Sequence, residues 1–327
     1  MKAGETKAGA AAHVVVLGTG GTISGRARAA GDNVGYTTGE VQVSELIDGL
    51  EVPGVALSAE QVANIDSKDM DFGVWRTLAQ RCAHWLAQEE VTGVVVTHGT
   101  DTLEETAFFL HELLPASKPV VLTCAMRPAS ALVPDGPQNI LDAVALAATP
   151  GVQGVTVVCA GTVHGAPDVQ KVHPYRVDAF SSGDMGPIGY IEEGRLRQAR
   201  DWPAASAGRA QAVMKNMAAA APWPRVEIVT SHAGAGASLV DLLVREREAG
   251  AADAVQGLVV AATGNGSVHA ALEQALLRAQ AAGIRVVRAT RCAFGRIVPG
   301  AAHALPDAGA LSPVKARIAL MLSLMQG

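Results

Sequence analysis

The chain alternates short β-branched runs with helix-like segments, and this alternation limits the folds it can adopt more than any other feature. The first run, at residues 13–17, passes directly into a stretch rich in glycine and threonine at 18–25. The same kind of strand at 93–97 leads into a polar loop at 98–102 and a helix-like segment at 103–113. Strands that alternate with helices form mostly parallel sheets with helices on both faces. We therefore expect a doubly wound α/β fold.

Other segments continue the pattern. Apolar β-branched runs predict further strands, at 119–123, 155–159, 226–230, 257–261 and 284–287. Helical periodicity predicts helices between them, at 140–148, 238–249 and 268–282. In open sheets of this kind ligands bind beyond the carboxyl ends of the strands, so the loops that follow the strands are the candidate site.

One interruption of the pattern indicates two domains. From about Trp202 to Pro224 the sequence is rich in Ala, Gly and Pro and shows no clear periodicity. The length of 327 residues also exceeds that of a typical single domain. We predict a larger N-terminal doubly wound, mostly parallel domain over residues 1–202, a linker over 203–224, and a smaller C-terminal α/β domain over 225–327.

Composition excludes two classes of partner. The chain has 26 basic and 31 acidic residues, a formal net charge of -5, and no basic block of the kind that neutralises phosphates. No apolar run approaches the length of a membrane span, and the N-terminus lacks the apolar core of a signal peptide. The four cysteines are scattered without a CxxC pair, as a reducing compartment allows. We expect a cytoplasmic protein that binds neither nucleic acid nor membrane.

Two loops carry the residues best suited to chemistry. The loop at 18–25 lacks both the third glycine of a dinucleotide loop and a Walker lysine, which disfavours phosphate binding. Its glycines can let the backbone approach a small ligand, and Thr22 could act as a nucleophile if a neighbouring base accepted its proton. The loop at 97–102 holds Thr100 and Asp101, which supply a hydroxyl and a charge. Helix capping is the structural alternative for this second loop.

Neither a metal nor a cofactor is indicated. The nine histidines show no HExxH motif and no i, i+4 pair on a helix. None of the cysteines stands in a motif typical of an activated nucleophile. Lys171 would by default be exposed, but a lysine buried beside a hydroxyl can lose enough proton affinity to act as a base. The role of Lys171 therefore depends on its surroundings.

An ordered set of motifs resembles the bacterial-type L-asparaginase and glutaminase-asparaginase family. The motifs follow the family order from about residue 14 to 325 and are GGTI at 20–23, GYTTG at 35–39, NIDSKDM at 64–70, THGTDT at 97–102, EET at 104–106, AMRP at 125–128, DGP at 135–137, DVQK at 168–171, GPIGY at 186–190 and GNG at 264–266. Each motif alone is modest evidence, whereas the ordered set is strong.

The resemblance implies an enzyme that hydrolyses the side-chain amide of L-asparagine to L-aspartate and ammonia. It implies that Thr22 is the nucleophile and that Tyr36, on a mobile lid, polarises its hydroxyl. It also implies a second, triad-like set of Thr100, Asp101 and Lys171. A threonine hydroxyl is a poor nucleophile until something accepts its proton, and a chain of hydroxyl, lysine and carboxylate can relay one. Attack by water on an acyl-enzyme and direct attack by water on the amide both stay open.

The same resemblance implies a substrate site shared between subunits. Ser67 and Asp101 would hold the α-carboxylate and α-amino groups of a small-molecule amide, with Thr100 beside them. Members of the family usually assemble as tetramers of two intimate dimers, in which the C-terminal domain of one subunit completes the site of another. The matching residue for that contribution is Asn265. The resemblance therefore implies a homotetramer that uses no cofactor.

Two positions depart from the family pattern. Lys68 stands where many relatives have a glutamine near the substrate's α-amino group, and a cation there should repel an ammonium. The family's partner-subunit glutamate has no convincing counterpart, since the stretch at 299–310 is shortened and offers only Asp307. Lys68 could pair with an acid such as Asp69 or Asp71. It could instead reach the pocket and select an amide with an extra carboxylate or without the α-ammonium, such as succinamate.

Three other functions stay open at this level. L-Glutamine differs from L-asparagine by one methylene, which is worth only about 1–3 kcal/mol in a pocket. A catalytically weak homologue that senses amino acids is the second, although a binder has no need of the full candidate set Thr22, Tyr36, Thr100, Asp101 and Lys171. The third is the related amidotransferase subunit that releases ammonia for tRNA-dependent amidation. It predicts an added N-terminal domain, for which a first strand at about residue 13 leaves no room.

Overall fold

The computed structural model describes residues 12–29, 31–114, 117–204, 210–218, 222–300 and 303–326. Within them, a larger N-terminal region holds an eight-stranded sheet and a smaller C-terminal region holds a three-stranded one. The predicted fold, a large mostly parallel α/β sheet followed by a smaller α/β domain, is confirmed.

The N-terminal region contains twelve strands and four α-helices among the described residues. The strands are β1 (Ala12–Gly20), β2 (Arg26–Ala27), β3 (Tyr36–Thr37), β4 (Val55–Ile65), β5 (Gly93–Thr97), β6 (Pro119–Thr123), β7 (Gly154–Cys159), β8 (Thr162–Gly165), β9 (Gln170–Lys171), β10 (Phe180–Ser181), β11 (Gly189–Glu192) and β12 (Arg195–Gln198). The helices are α1 (Val43–Ile47), α2 (Phe72–Leu86), α3 (Leu103–Leu113) and α4 (Gly136–Ala148). Short 3-10 turns lie at Thr22–Ser24, Ser67–Asp69 and Gly183–Met185.

The large sheet reverses its strand order close to its β4 edge. Its order is β12-β11-β8-β7-β6-β5-β1-β4. Strands β4, β1, β5, β6 and β7 run parallel, whereas β8, β11 and β12 extend the sheet in antiparallel pairs. The chain places β4 on one side of β1 and β5 on the other, so the reversal lies between β1 and β5. Doubly wound sheets bind ligands at the carboxyl edge of such a reversal.

Helices cover both faces of this sheet. Helices α1 and α4 pack on one face, in an apolar cluster that includes Val16 and Ile140. Helices α2 and α3 pack on the other, in a cluster that includes Leu17 and Phe109. Because the central strands are buried on both faces, they read as continuous apolar runs in the sequence.

The stretch predicted as a linker contains a helix. Helix α5 (Ala210–Ala218) lies within it, and Val213 and Met217 of this helix are buried in the same apolar cluster as α3. Apolar residues four positions apart lie on one face of a helix. The alanines around them supply no polar contrast, which is why the periodicity was not visible in the sequence.

The C-terminal region is a small parallel sheet with helices. Its strands are β13 (Val226–Thr230), β14 (Gly257–Ala262) and β15 (Arg285–Thr290), in the order β13-β14-β15. Its helices are α6 (Ser238–Glu248), α7 (Ala270–Ala281) and α8 (Pro313–Leu324). In the part of the chain that the structure describes, no helix combines the length and apolar character needed to cross a bilayer.

Helix α8 joins the two regions. It packs against β13, β14 and β15 on one side and against α3 on the other. Leu110 of α3, Val226 of β13 and Met321 of α8 belong to one buried apolar cluster. The C-terminal sheet is therefore bound to the large domain through a shared core rather than through a tether alone.

Candidate active site

The loops after β1 and β5 leave the sheet side by side at the reversal of strand order. The two strands pair in parallel, so the residues that follow them share one edge. Gly21, with φ of 85°, touches the second loop so closely that a Cβ there would lie 2.3 Å from the Cα of Gly99. Only glycine meets both the backbone angle and the contact. This approach brings Thr22 and Thr100 to the same cavity.

Thr22 faces a tyrosine. It opens the short 3-10 turn after β1, and its Oγ1 lies 2.6 Å from the hydroxyl of Tyr36. Tyr36 is carried by β3, which pairs with β2 as a two-stranded ribbon. A Cβ at Gly25 would meet the Tyr36 ring at 2.8 Å, so glycine at that position leaves room for the ring.

A lysine connects Thr100 to Asp101. The Nζ of Lys171 donates to Thr100 Oγ1 at 2.8 Å and to Asp101 Oδ1 at 2.5 Å. Lys171 ends β9, a two-residue strand, and its side chain is only 16% exposed. The expected alternative of a solvated lysine is therefore not what the fold produces.

Ser67 connects the second loop to the turn after β4 through two hydrogen bonds. Its Oγ accepts the backbone N–H of Asp101 at 3.1 Å, and its carbonyl accepts the hydroxyl of Thr102 at 2.7 Å. Ser67 is buried, whereas the side chain of Asp101 is 54% exposed. The carboxylate of Asp101 thus lies at the mouth of the site and the Ser67 hydroxyl lies deeper.

These residues line one cavity of about 180 Å³. The described residues that line it are Thr22, Asn33, Val34, Tyr36, Asp66, Ser67, Thr100, Asp101, Met126, Lys171 and Pro174. Six of the eight predicted site residues are among them, and the size suits a small molecule. Sequence reasoning did not single out Asn33, Val34 or Met126. A signal existed for Met126, which belongs to the AMRP motif directly after β6.

Lys68 is not among the described residues that line the cavity. Its ammonium pairs with the carboxylate of Asp69, and its side chain is 60% exposed. The hydrogen bond that its ammonium donates to Asp69 raises the pKa of Lys68, and the charges of Asp66 and Asp101 act in the same direction. This geometry corresponds to the first of the two sequence alternatives, in which Lys68 pairs with a neighbouring acid.

Asn265 lies elsewhere in the chain, at a second cavity of about 370 Å³ in the C-terminal region. Its Nδ2 donates to the Val298 carbonyl at 3.1 Å, and its Oδ1 accepts the Val298 N–H at 2.7 Å. Asp307, near the same cavity, lies 3.9 Å from the guanidinium of Arg288. Neither residue lines the cavity of Thr22 within the described part of this chain.

His98 supports the second loop from inside the protein. It is fully buried, its Nδ1 lies 2.7 Å from the Gly99 carbonyl, and its Nε2 lies 2.9 Å from the Thr106 hydroxyl. Burial lowers the pKa of His98 to about 4, although the hydrogen bond to Gly99 opposes the shift. The ring is therefore neutral near pH 7 and braces the loop. Among the described residues, no group of three or more His, Cys, Asp or Glu could hold a metal ion.

Comparisons with known proteins match both regions of the chain. The family described as "Asparaginase, N-terminal" matches residues 13–203, and the "Glutaminase/Asparaginase C-terminal domain" matches 225–327. L-asparaginase 2 of Bacillus subtilis is 35% identical, over 95% of this chain and 82% of the relative. L-asparaginase 2 of Escherichia coli is 36% identical, over 96% and 89%. The solved structure of a probable cytoplasmic L-asparaginase from Campylobacter jejuni has a TM-score of 0.87 and 36% identity, covering 97% of this chain and 96% of that one.

Proposed function

The chain belongs to the asparaginase family, whose two domain descriptions match residues 13–203 and 225–327, and we propose from this premise how it hydrolyses the side-chain amide of L-asparagine. The products are L-aspartate and ammonia. The observation that carries the mechanism is that two hydroxyl sets line one small cavity. One set is Thr22 with Tyr36, and the other is Thr100 with Lys171 and Asp101.

Thr22 is the proposed nucleophile. Its Oγ1 attacks the carbon of the amide while the Tyr36 oxygen, 2.6 Å away, accepts its hydrogen bond and polarises it, and the Thr22 proton passes to solvent water as the bond to carbon forms. Ammonia leaves, and a water molecule hydrolyses the resulting ester to the carboxylate and regenerates the hydroxyl. Backbone N–H groups of the glycine-rich loops are suited to stabilise the oxyanion that develops on the amide oxygen.

Thr100 is the proposed proton donor to the departing nitrogen, and the Lys171 ammonium, which regains its proton from solvent, returns a proton to the Thr100 oxygen. Because Lys171 Nζ donates to Thr100 Oγ1 at 2.8 Å, the hydrogen of the Thr100 hydroxyl is directed away from the lysine. A hydroxyl that accepts a hydrogen bond from a cation is polarised and gives up its own proton more readily. Asp101 completes this set because its carboxylate holds the same ammonium at 2.5 Å.

The substrate's amino-acid end is proposed to bind between Asp101 at the mouth of the cavity and Ser67 deeper in it. The exposed Asp101 carboxylate is suited to the α-ammonium, and the hydroxyl of Ser67 is suited to the α-carboxylate. Lys68 stays at the rim in its pair with Asp69. Recognition of the α-ammonium thus depends chiefly on Asp101.

We also propose that the active form is a homotetramer of two intimate dimers, in which Asn265 reaches the cavity of a neighbouring chain. What supports this is that Asn265 sits in a different cavity of its own chain. Sedimentation should then give about four times the chain mass of 33.5 kDa. A cytoplasmic location is proposed from the similarity to the Campylobacter jejuni protein.

Ammonia release from L-asparagine, L-glutamine, D-asparagine and succinamate tests the activity. We expect L-asparagine to be the best substrate and Thr22→Ala to abolish most turnover. The matched control is Thr19→Ala, which removes an equally buried hydroxyl that donates to the Thr97 carbonyl rather than into the cavity. Normal turnover by Thr22→Ala would remove Thr22 as the nucleophile. A wild-type protein that releases ammonia from none of the four amides would refute the proposed function.

A further inference from the structure

A fully buried lysine lies at the junction of the two regions. Lys315 is 0% exposed and occupies the first turn of α8, where Ser312 caps the helix by accepting the Lys315 N–H. The start of a helix is its positive end, so a cation there is unfavourable. Burial of an ammonium is unfavourable as well. The stability of α8 therefore does not account for this side chain.

The ammonium of Lys315 holds the turn that leads to the catalytic lysine. It donates to the Pro167 carbonyl at 3.0 Å and also to the Val169 carbonyl. The N–H groups of Asp168 and Val169 both donate to the Gly165 carbonyl, at 3.0 and 2.9 Å, which makes the turn tight. This turn connects β8 to β9, and β9 ends at Lys171.

Glu104 interacts with the same segment. It is in the first turn of α3, directly after the loop that carries Thr100 and Asp101. Burial raises the pKa of Glu104, while the Lys315 ammonium and a hydrogen bond from the Lys171 backbone N–H lower it. Its Oε2 is buried and has no hydrogen-bond partner among the described residues. Glu104 thus interacts both with the backbone N–H of Lys171 and with the ammonium of Lys315.

The charged form of Lys315 is stabilised by two acidic residues near it, Glu104 and Asp168. Burial lowers its pKa to about 8, and the charges of Glu104 and Asp168 oppose that shift. Asp168 belongs to the same tight turn and also pairs with Arg200. The polar groups at this junction therefore converge on the segment before Lys171.

Building on the proposed function, we propose that Lys315 is a positioning residue for Lys171. Through the carbonyls of Pro167 and Val169 it sets where β9 lies, and so lets the Lys171 Nζ reach both Thr100 and Asp101. Strand β9 has only two residues and pairs with the equally short β10, so its own pairing gives it little support. A displacement of about 1 Å at a reacting group can lower a rate about 100-fold. The C-terminal region would thereby control the active site of its own chain.

The test is the variant Lys315→Met, which keeps most of the length of the side chain and removes its charge and donors. We expect kcat for L-asparagine to fall about 10- to 100-fold. KM should change less than about threefold, because Ser67 and Asp101 keep their places. The matched control is Arg317→Met, on the same helix, whose Nε donates to the Val226 carbonyl and whose guanidinium lies over the Phe72 ring. This control should keep kcat within about twofold of wild type.

Two further variants separate positioning from a general structural role. Lys315→Arg keeps a charge and N–H donors, and should retain a larger share of kcat than Lys315→Met; this comparison also serves if the methionine variant does not fold. The double variant Glu104→Gln with Lys315→Met removes both charges. Its kcat should stay low, because the two carbonyls still lack a donor. Recovery of wild-type kcat in the double variant would mean that Lys315 only neutralises Glu104, and would overturn the proposal.

Crystal structures of the wild type and of Lys315→Met supply a readout that does not depend on activity. We expect the Lys171 Nζ to contact Thr100 and Asp101 in the wild type and to lose at least one contact in the variant. Unchanged contacts together with a wild-type kcat would overturn the positioning role. If the wild type releases no ammonia, the proposed function fails, and the two structures alone decide the role of Lys315.

Discussion

The two walls of the cavity each carry a threonine hydroxyl, and they differ in the group that hydrogen-bonds to it. The phenol wall, Thr22 with Tyr36, is a neutral pair of hydroxyls 2.6 Å apart. The lysine wall, Thr100 with Lys171 and Asp101, contains an ammonium that donates at 2.8 Å and 2.5 Å. Hydrogen bonds that involve a charged group are about twice as strong as neutral ones. The hydrogen bonds of the lysine wall therefore depend more on electrostatic attraction. The hydrogen bond of the phenol wall depends more on where the β2–β3 ribbon places Tyr36.

The walls also differ in how the fold assembles them. Thr22 and Tyr36 are separated by 14 residues, whereas Thr100 and Lys171 are separated by 71. The phenol wall is a local structure after β1. The lysine wall needs β5, α3, β9 and, through Lys315, the C-terminal helix α8. A distant change should therefore damage the lysine wall before it damages the phenol wall.

Loss of the ammonium should have the largest effect. We expect Lys171→Met to lower kcat about 10²- to 10⁴-fold, the usual range for a proton-transfer group. Lys118→Met is the matched control, because its Nζ donates to the Gln88 carbonyl and Lys118 is not among the described residues that line the cavity. Steady-state ammonia release measures both variants. Near-normal kcat in Lys171→Met would mean that the lysine wall is structural, and the contrast between the walls would disappear.

Loss of the phenol hydroxyl should have a smaller effect. A neutral hydrogen bond contributes about 0.5–1.5 kcal/mol, so we expect Tyr36→Phe to lower kcat up to about tenfold. Tyr190→Phe, on β11 at a distance from the cavity, is the control. The same assay compares the two. A loss in Tyr36→Phe as large as that in Lys171→Met would show that the Tyr36 oxygen is the main proton acceptor, and would reverse the ranking of the walls.

The smallest effect is expected at the rim. Lys68 and Asp69 form an exposed pair, with side chains 60% and 65% accessible, and such pairs are worth about 0–1 kcal/mol. We expect Lys68→Gln to leave the ratio of L-asparagine to succinamate turnover unchanged within about twofold. A ratio shifted tenfold or more would place Lys68 in the cavity and revive the alternative of a substrate selected by that lysine.

Much of the fold could be predicted from local pattern. Strand β5 and helix α3 were predicted with the bounds that the structure has, because one is a continuous buried run and the other begins directly after a polar loop. Strand β4 was missed because its burial is mixed along eleven residues, without an apolar run. Helix α8 was missed for the opposite reason. It is buried between α3 and the C-terminal sheet, so apolar residues surround it and no period stands out.

The candidate site was predicted unevenly. The motifs identified both threonines, Lys171 and Asp101, and the fold brings these residues to one cavity; their catalytic roles stay predictions. Lys315 was not singled out, although a lysine in the first turn of an apolar helix is a signal of its own. Glu104 was noted only as part of a motif. Its two lysine neighbours are distant in sequence, so no local pattern could reveal them.

By itself the sequence determined which segments become buried strands and which loops carry hydroxyls, glycine and charge, because these depend on local composition and period. It also determined the family, since the motifs occur in order along nearly the whole chain. Only the tertiary structure decided where the lysines go. Lys171 turns inward to Thr100, Lys68 outward to Asp69, and Lys315 into the junction between the regions. A lysine side chain has several rotatable bonds and no intrinsic preference among these places, so the carboxylates and carbonyls that packing brings near it make the choice.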